Sequence, residues 1–303
     1  MAQLRQNNLT FIVMYVVALT FKSAIGIGGT LNIMDFGANP NGKTDSRNAI
    51  LTAWAKACSS TTTPTIYVPI GRFLVGGSVV FKGRCNNKGI TVIIVGTLVA
   101  NFNYNVIGNE GSWLLFDDVD GVSIIGNGIL DGQGTSLWDC KRSGKSCPMG
   151  VTNLRFANSN NIVINGITSL NSQIFHIVLD RCNNVRVQGI KVIAAGNSPN
   201  TDGIHVQLSS SVTIFNSNIA TGDDCISIGP GTTNLWIENI ACGPGHGIRT
   251  VEIFLTVIVQ VNLHLNEDRE KNSQRWKTRA SAEVFFVAGI ENKRVLPTPV
   301  LPY

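Results

Sequence analysis

Three aspartates and a histidine stand out in this 303-residue chain, because their types can do acid–base chemistry and their spacing is regular. The stretch TGDDCISIG (221–229) sets Asp223 and Asp224 side by side at the mouth of an apolar run. Adjacent carboxylates repel each other and are costly to desolvate, so a packed core does not favour them. Asp202, in NTDG, lies 21 residues before Asp223, and His246, in GPGHG, lies 22 after Asp224. Crowded carboxylates raise one another's pKa, so one can hold a proton while others stay ionised, as paired acid and base catalysis requires. GDD alone would suit a solvated turn or a calcium ligand, and Gly-His-Gly alone an ordinary loop. The shared interval joins them into one candidate patch of Asn200, Asp202, Asp223, Asp224 and His246.

That interval is also the period of the chain. NNIVINGI (160–167), NNVRVQGI (183–190), SSVTIFNS (210–217) and TNLWIENI (233–240) share a polar pair, an alternating run, then Asn or Gly, and their starts are 23, 27 and 23 residues apart. DGVSIIGNG (120–128) and KGITVIIVG (88–96) are looser copies. A period in the twenties with short strands predicts stacked coils, and the leucine spacing of a leucine-rich repeat is absent. The predicted fold is all-β, a right-handed parallel β-helix in which residues one coil apart stack about 4.8 Å apart and equivalent asparagines form ladders. One helix is predicted at 45–57, with Asp45 as its cap and Ala49, Ile50, Ala53, Trp54 and Ala57 on one face. It would cover the open N-terminal end, as a solenoid needs. His176 and His205 read as ladder or wall residues.

Composition narrows the function classes. Charged residues are only 14% and there is no long basic run, which argues against a nucleic-acid partner. Residues 1–26 read as a signal peptide: Arg5, the apolar LTFIVMYVVALTF (9–21), then small residues at 24–26. The apolar run is short for a membrane span, so a secreted, extracellular or cell-wall protein is expected, with no membrane attachment after cleavage. Removing Arg5 and Lys22 takes the formal charge from +5 to +3, compatible with a polyanionic substrate. The one N-glycosylation site, Asn8, lies within the leader. The seven cysteines do not have zinc-ligand spacing, so disulfides are expected, with one cysteine left over. Cys140 and Cys147 enclose a short loop and should pair, and a Cys225–Cys242 bridge would brace the acidic patch.

NTDG, GDDC and GHG, in this order and spacing, resemble the polygalacturonases of glycoside hydrolase family 28, particularly those of plants. IMDFGANPNGKTDSRNAI (33–50) and LDGQGTSLWDCK (130–141) are similar to that family too, and the resemblance spans roughly residues 30–248. It implies hydrolysis of α-1,4-linked galacturonate in pectin with inversion, by a monomer needing no metal or cofactor. It implies that Asp223 is the general acid, that Asp202 and Asp224 position and deprotonate water, that His246 tunes the acid, and that Asn200 binds substrate. A calcium-dependent pectate lyase is the rival β-helix enzyme, and the NTD–GDD–GHG order argues against it.

After GHGI (245–248) the sequence leaves the family pattern, which would continue with an Ile-Gly-Ser turn, further coils and a substrate-gripping Arg-x-Lys. The expected domains are therefore the leader 1–26, an incomplete β-helix domain 27–248 and a divergent tail 249–303. TVIVQVNLHLN (256–266) alternates well enough for one strand, whereas RWK (275–277) imitates Arg-x-Lys in letters alone. The expectation is a weak hydrolase, or a pectin-binding product without turnover.

Overall fold

A computed structural model describes residues 29–250 and, as backbone strands, Val257–Val261, Leu263–Leu265 and Ala282–Phe286. The expected leader and the RWK triplet lie outside the described residues. Among the described residues every strand pairing is parallel except that of Val257–Val261 with Ala282–Phe286. The parallel strands line three faces of a right-handed parallel β-helix, most coils contributing strand residues to each face.

The first face runs through Ile90–Ile94, Val122–Gly126, Asn160–Asn165, Asn183–Gln188 and the first halves of Ser210–Ala220 and Thr233–Cys242. Asn160, Asn183, Ser210 and Thr233 are consecutive partners, so the four repeats stack in the register their spacing predicts. The second face includes Thr97–Ala100, Ile129–Asp131, Thr168–Leu170 and Lys191–Ile193. Ser210–Ala220 continues through the corner between these two faces, pairing with strands of both. The third face comprises Val79–Lys82, Ser112–Asp117, Thr152–Ala157, Ile177–Asp180, Ile204–Gln207, Ile226–Ile228 and Ile248–Thr250. Past residue 248, Ile248–Thr250 extends the third face and Leu263–Leu265 the second.

Alternation along each strand sends every second side chain inward, and stacking turns those positions into columns. On the third face one column reads Phe81, Phe116, Phe156, Leu179, Val206, Ile228. Its three rings stack with centroids 4.2 and 4.8 Å apart. At the corner entering the first face, Asn161, Asn184, Ser211 and Asn234 all have positive φ. Asparagine tolerates that left-handed conformation better than most residues. Asn184 donates to Asn161 at 2.7 Å and Asn161 to Asp120 at 2.6 Å, which realises the expected ladder.

The N-terminal helix spans Arg47–Ser59 and buries the predicted stripe, including Ala53 and Trp54. Its cap differs from expectation. Ser46 is the N-cap residue, and Asp45 instead accepts from the backbone N–H of both Arg47 and Gly76, at 2.9 and 3.0 Å. Asp45 thus belongs to the preceding strand and ties the helix start to the next coil. Trp54 lies edge-on to Phe81 and Phe116, and its indole N–H donates to the Lys82 carbonyl at 3.1 Å. The Cys140–Cys147 and Cys225–Cys242 bridges are present, and Cys58–Cys85 ties the end of the helix to the next coil. Cys182 is the unpaired cysteine; burial pushes its thiol up to about 11, so it is not a reactive thiolate.

Candidate active site

The acidic patch sits where the chain passes from the second face into the third, just before three successive strands. Ile204, Ile226 and Ile248 are register partners at the strand starts. Two positions earlier on each coil stand Asp202, Asp224 and His246. The backbone ladder continues outward from the strands: Gly203 N–H donates to the Asp224 carbonyl at 2.9 Å and Cys225 N–H to the Gly247 carbonyl at 2.8 Å. Asp202, Asp224 and His246 therefore form the column, and Asp223 stands one step upstream of it. The near-equal sequence intervals conceal this offset, because a loop residue's column is set by the strand it precedes.

The side chains differ in environment as much as in position. Asp202 and Asp224 are buried, Asp223 is half-buried and His246 is exposed. His246 Nδ1 lies 3.2 Å from Asp223 Oδ1, the same oxygen that accepts the Asp224 N–H at 2.9 Å. The His246 N–H also donates to the Asp223 carbonyl at 2.9 Å, which fixes the two residues to each other. Burial pushes the Asp202 carboxyl up to about 6, a hydrogen bond from Ser227 opposes the shift, and the charges of Asp223 and Asp224 add to it. Three carboxylates thus face one another without equivalent environments. Asn200, expected in the cleft, is exposed on the loop two residues before Asp202, with φ +53°.

The support beneath these loops is hydrogen-bonded and disulfide-linked. Thr201 Oγ1 lies 2.6 Å from Ser198 Oγ, and accepts from Thr221 Oγ1 at 2.8 Å and from the Gly222 N–H at 3.2 Å. The Thr221 N–H reaches the Pro244 carbonyl at 2.7 Å, so the three loops are linked in sequence. The Cys225–Cys242 bridge lies directly under the histidine loop, where a Cβ on Gly245 would come within 2.6 Å of Cys225 Sγ. Such bracing holds acid–base groups in one geometry.

Several residues around the patch carry no signal that spacing alone could read. His205 Nδ1 lies 2.8 Å from the Ser227 hydroxyl, its register partner on the next coil. Arg249 Nη1 stands 3.8 Å from Asp224 Oδ2. His176 is fully buried in the interior, with Nδ1 2.8 Å from Ser169 Oγ, and burial lowers its pKa to about 3. Asp223, Asp224 and His246 bring potential ligand atoms within 4.8 Å of one another. Two carboxylates and an imidazole offer fewer oxygens than the roughly six to eight that calcium takes.

Residues 58–252 match the glycosyl hydrolases family 28. The chain belongs to this family. It is 60% identical to a polygalacturonase of Prunus persica over 75% of this chain and 58% of that protein. It is 43% identical to an exopolygalacturonase of Zea mays over 74% of this chain and 55% of that one. The chain thus spans less than two thirds of these relatives' length. Among solved structures, the endo-xylogalacturonan hydrolase of Aspergillus tubingensis superposes with a TM-score of 0.65 at 20% identity, covering 80% of this chain and 69% of that one. At that identity the likeness concerns the fold.

Proposed function

We propose that this chain hydrolyses α-1,4-galacturonosyl linkages of pectin or polygalacturonate with inversion, at the patch formed by Asp202, Asp223, Asp224 and His246. The observation that carries this reading is the meeting of the four side chains at the mouths of three consecutive third-face strands. Asp223, held by His246 and reached by solvent, is placed to protonate the leaving glycosidic oxygen. Asp202 and Asp224, buried one coil apart, are placed to hold a water and take its proton. Asn200 lines the same loop edge as a substrate contact. No metal or cofactor takes part. The working unit is a secreted monomer acting at the cell wall, with β-helix domain 27–248 behind leader 1–26 and followed by tail 249–303. Among the described residues no helix is long and apolar enough to cross a membrane.

A second reading, pectin binding without turnover, is favoured by Arg249. The sequence leaves the family pattern after residue 248, and Arg249 sets a cation against Asp224, one of the two carboxylates meant to hold water. One experiment separates the readings. The purified chain is incubated with polygalacturonate, and reducing ends, unsaturated products and binding are followed with and without a chelator. New reducing ends that persist under chelation, and fall at least about a hundredfold in Asp223→Asn, support hydrolysis. Unsaturated products lost on chelation identify a lyase. Binding alone identifies the second reading.

A further inference from the structure

Arg249 enters the patch from the coil that carries His246. Ile248 is buried and faces the interior, so the next side chain on that strand points outward, in the column of its register partner Ser227 and of His205 before it. The Arg249 side chain is 54% exposed, and its Nη1 stands 3.8 Å from Asp224 Oδ2. That is close enough for charge to act and too far for a hydrogen bond. Of the cations carried by third-face strands, Lys82 donates to Asp117, and Arg155 donates to the buried Asp180 at 2.5 Å. Arg249 alone of these makes no side-chain hydrogen bond to the described residues. We propose that Arg249 binds the carboxylate of an unesterified galacturonate in the cleft, which makes the site selective for de-esterified pectin; this rests on the pectic substrate of the reading above.

The charge balance of the patch calls for such a contact. Asp202, Asp223 and Asp224 meet at the strand mouths, and a galacturonate brings a fourth carboxylate among them. Like charges repel more strongly where water is displaced, as it is beneath a bound sugar chain. His246 is already committed to Asp223, through Nδ1 at 3.2 Å and its backbone N–H at 2.9 Å. Among the described residues, Arg249 is the cation paired with a carboxylate of the patch whose hydrogen-bonding groups are still open. It stands one coil beyond Asp224, so the sugar it holds is one at the patch itself.

The chemistry of the guanidinium sets what it selects. Its parallel N–H groups match the two oxygens of a carboxylate, and the pair is strengthened by opposite charge. Asp224, at 3.8 Å, does not fill that fork. A free uronate fills it with two charge-assisted hydrogen bonds. A methyl ester carries no charge, and one of its oxygens bears the methyl group. It covers the guanidinium without pairing it, and a site built around a polar contact strongly rejects an analogue that lacks the partner.

The test measures binding and turnover on the full chain, with galacturonate oligomers of one length, unesterified and fully methyl-esterified. In calorimetric titration the wild-type chain should bind the unesterified oligomer at least about tenfold more tightly than the ester. Arg249→Gln should weaken binding of the unesterified oligomer about ten- to a hundredfold and leave the ester within about twofold. Arg249→Lys keeps the charge without the fork and should fall between. In the reducing-end assay, Arg249→Gln should raise KM on polygalacturonate about tenfold or more, with kcat changed less than about threefold. Equal wild-type affinity for the two oligomers overturns the proposal, as does an Arg249→Gln loss shared equally by both or one that lysine does not partly restore. A preference that disappears in Arg249→Gln, in a chain that releases no reducing ends, supports the role of Arg249 and overturns the hydrolytic reading. Hydrolysis by a chain whose preference survives Arg249→Gln does the reverse. A chain that binds neither oligomer overturns both.

Discussion

At the residue scale, the patch is held against its own electrostatics. Asp202 has a folded-state pKa of about 6 against an ordinary 3.8, so the folded chain binds the extra proton between those values. Its contribution to stability therefore falls as pH rises from about 4 through 6, and the ionised carboxylate costs up to about 3 kcal/mol above that window. Asp202→Asn should raise the melting temperature at pH 7 and leave it unchanged near pH 4. A melting temperature that shifts equally at both pH values would rule out this account. His176 acts with the opposite sign. Its pKa is lowered to about 3, so its contribution is full above 6.5 and is lost as pH falls toward 3. His176→Leu should flatten the acid limb of a thermal-melting profile, and an unchanged limb would remove the buried imidazole as the cause.

At the element scale, the coils are set in register by side chains at their corners as well as by backbone pairing. Asn161 and Asn184 hold φ of 56° while passing a hydrogen bond from one coil to the next. Alanine at 184 would forfeit that bond and strain the left-handed corner, together about 1–3 kcal/mol. Glycine would forfeit only the bond. The urea midpoint of Asn184→Gly should therefore lie above that of Asn184→Ala, and equal midpoints would show that the corner conformation carries no cost. These asparagines were legible in sequence because the corner demands one residue type at one point of every repeat. The acidic patch, as a candidate site, was legible for the same reason, since loop residues recur with the strands they precede. Register within the loops was hidden: Asp202 faces Asp224, as only strand starts at Ile204 and Ile226 reveal. The Ser227–His205 contact was hidden too, because Ser and His on an alternating strand look like any outward pair.

At the scale of the whole molecule, a solenoid has contacts only between neighbouring coils, so a local loss should stay local. The Arg47–Ser59 helix closes one end, and Trp54 is the side chain through which it meets the aromatic column at Phe81 and Phe116. Its stripe was readable from helical spacing, but the column it covers was not, because Phe81, Phe116 and Phe156 are far apart in sequence and meet only through register. Trp54→Ala removes a side chain only 4% exposed and should cost about 3–5 kcal/mol. That cost should fall on the first coils alone. Hydrogen exchange should lose protection in Val79–Lys82 and Ile90–Ile94, while Ile204–Gln207 and Ile226–Ile228, braced through Cys225–Cys242, keep theirs. Protection lost evenly along the chain would mean that the helix end and the acidic patch unfold as one unit, and the patch would then depend on a cap many coils away.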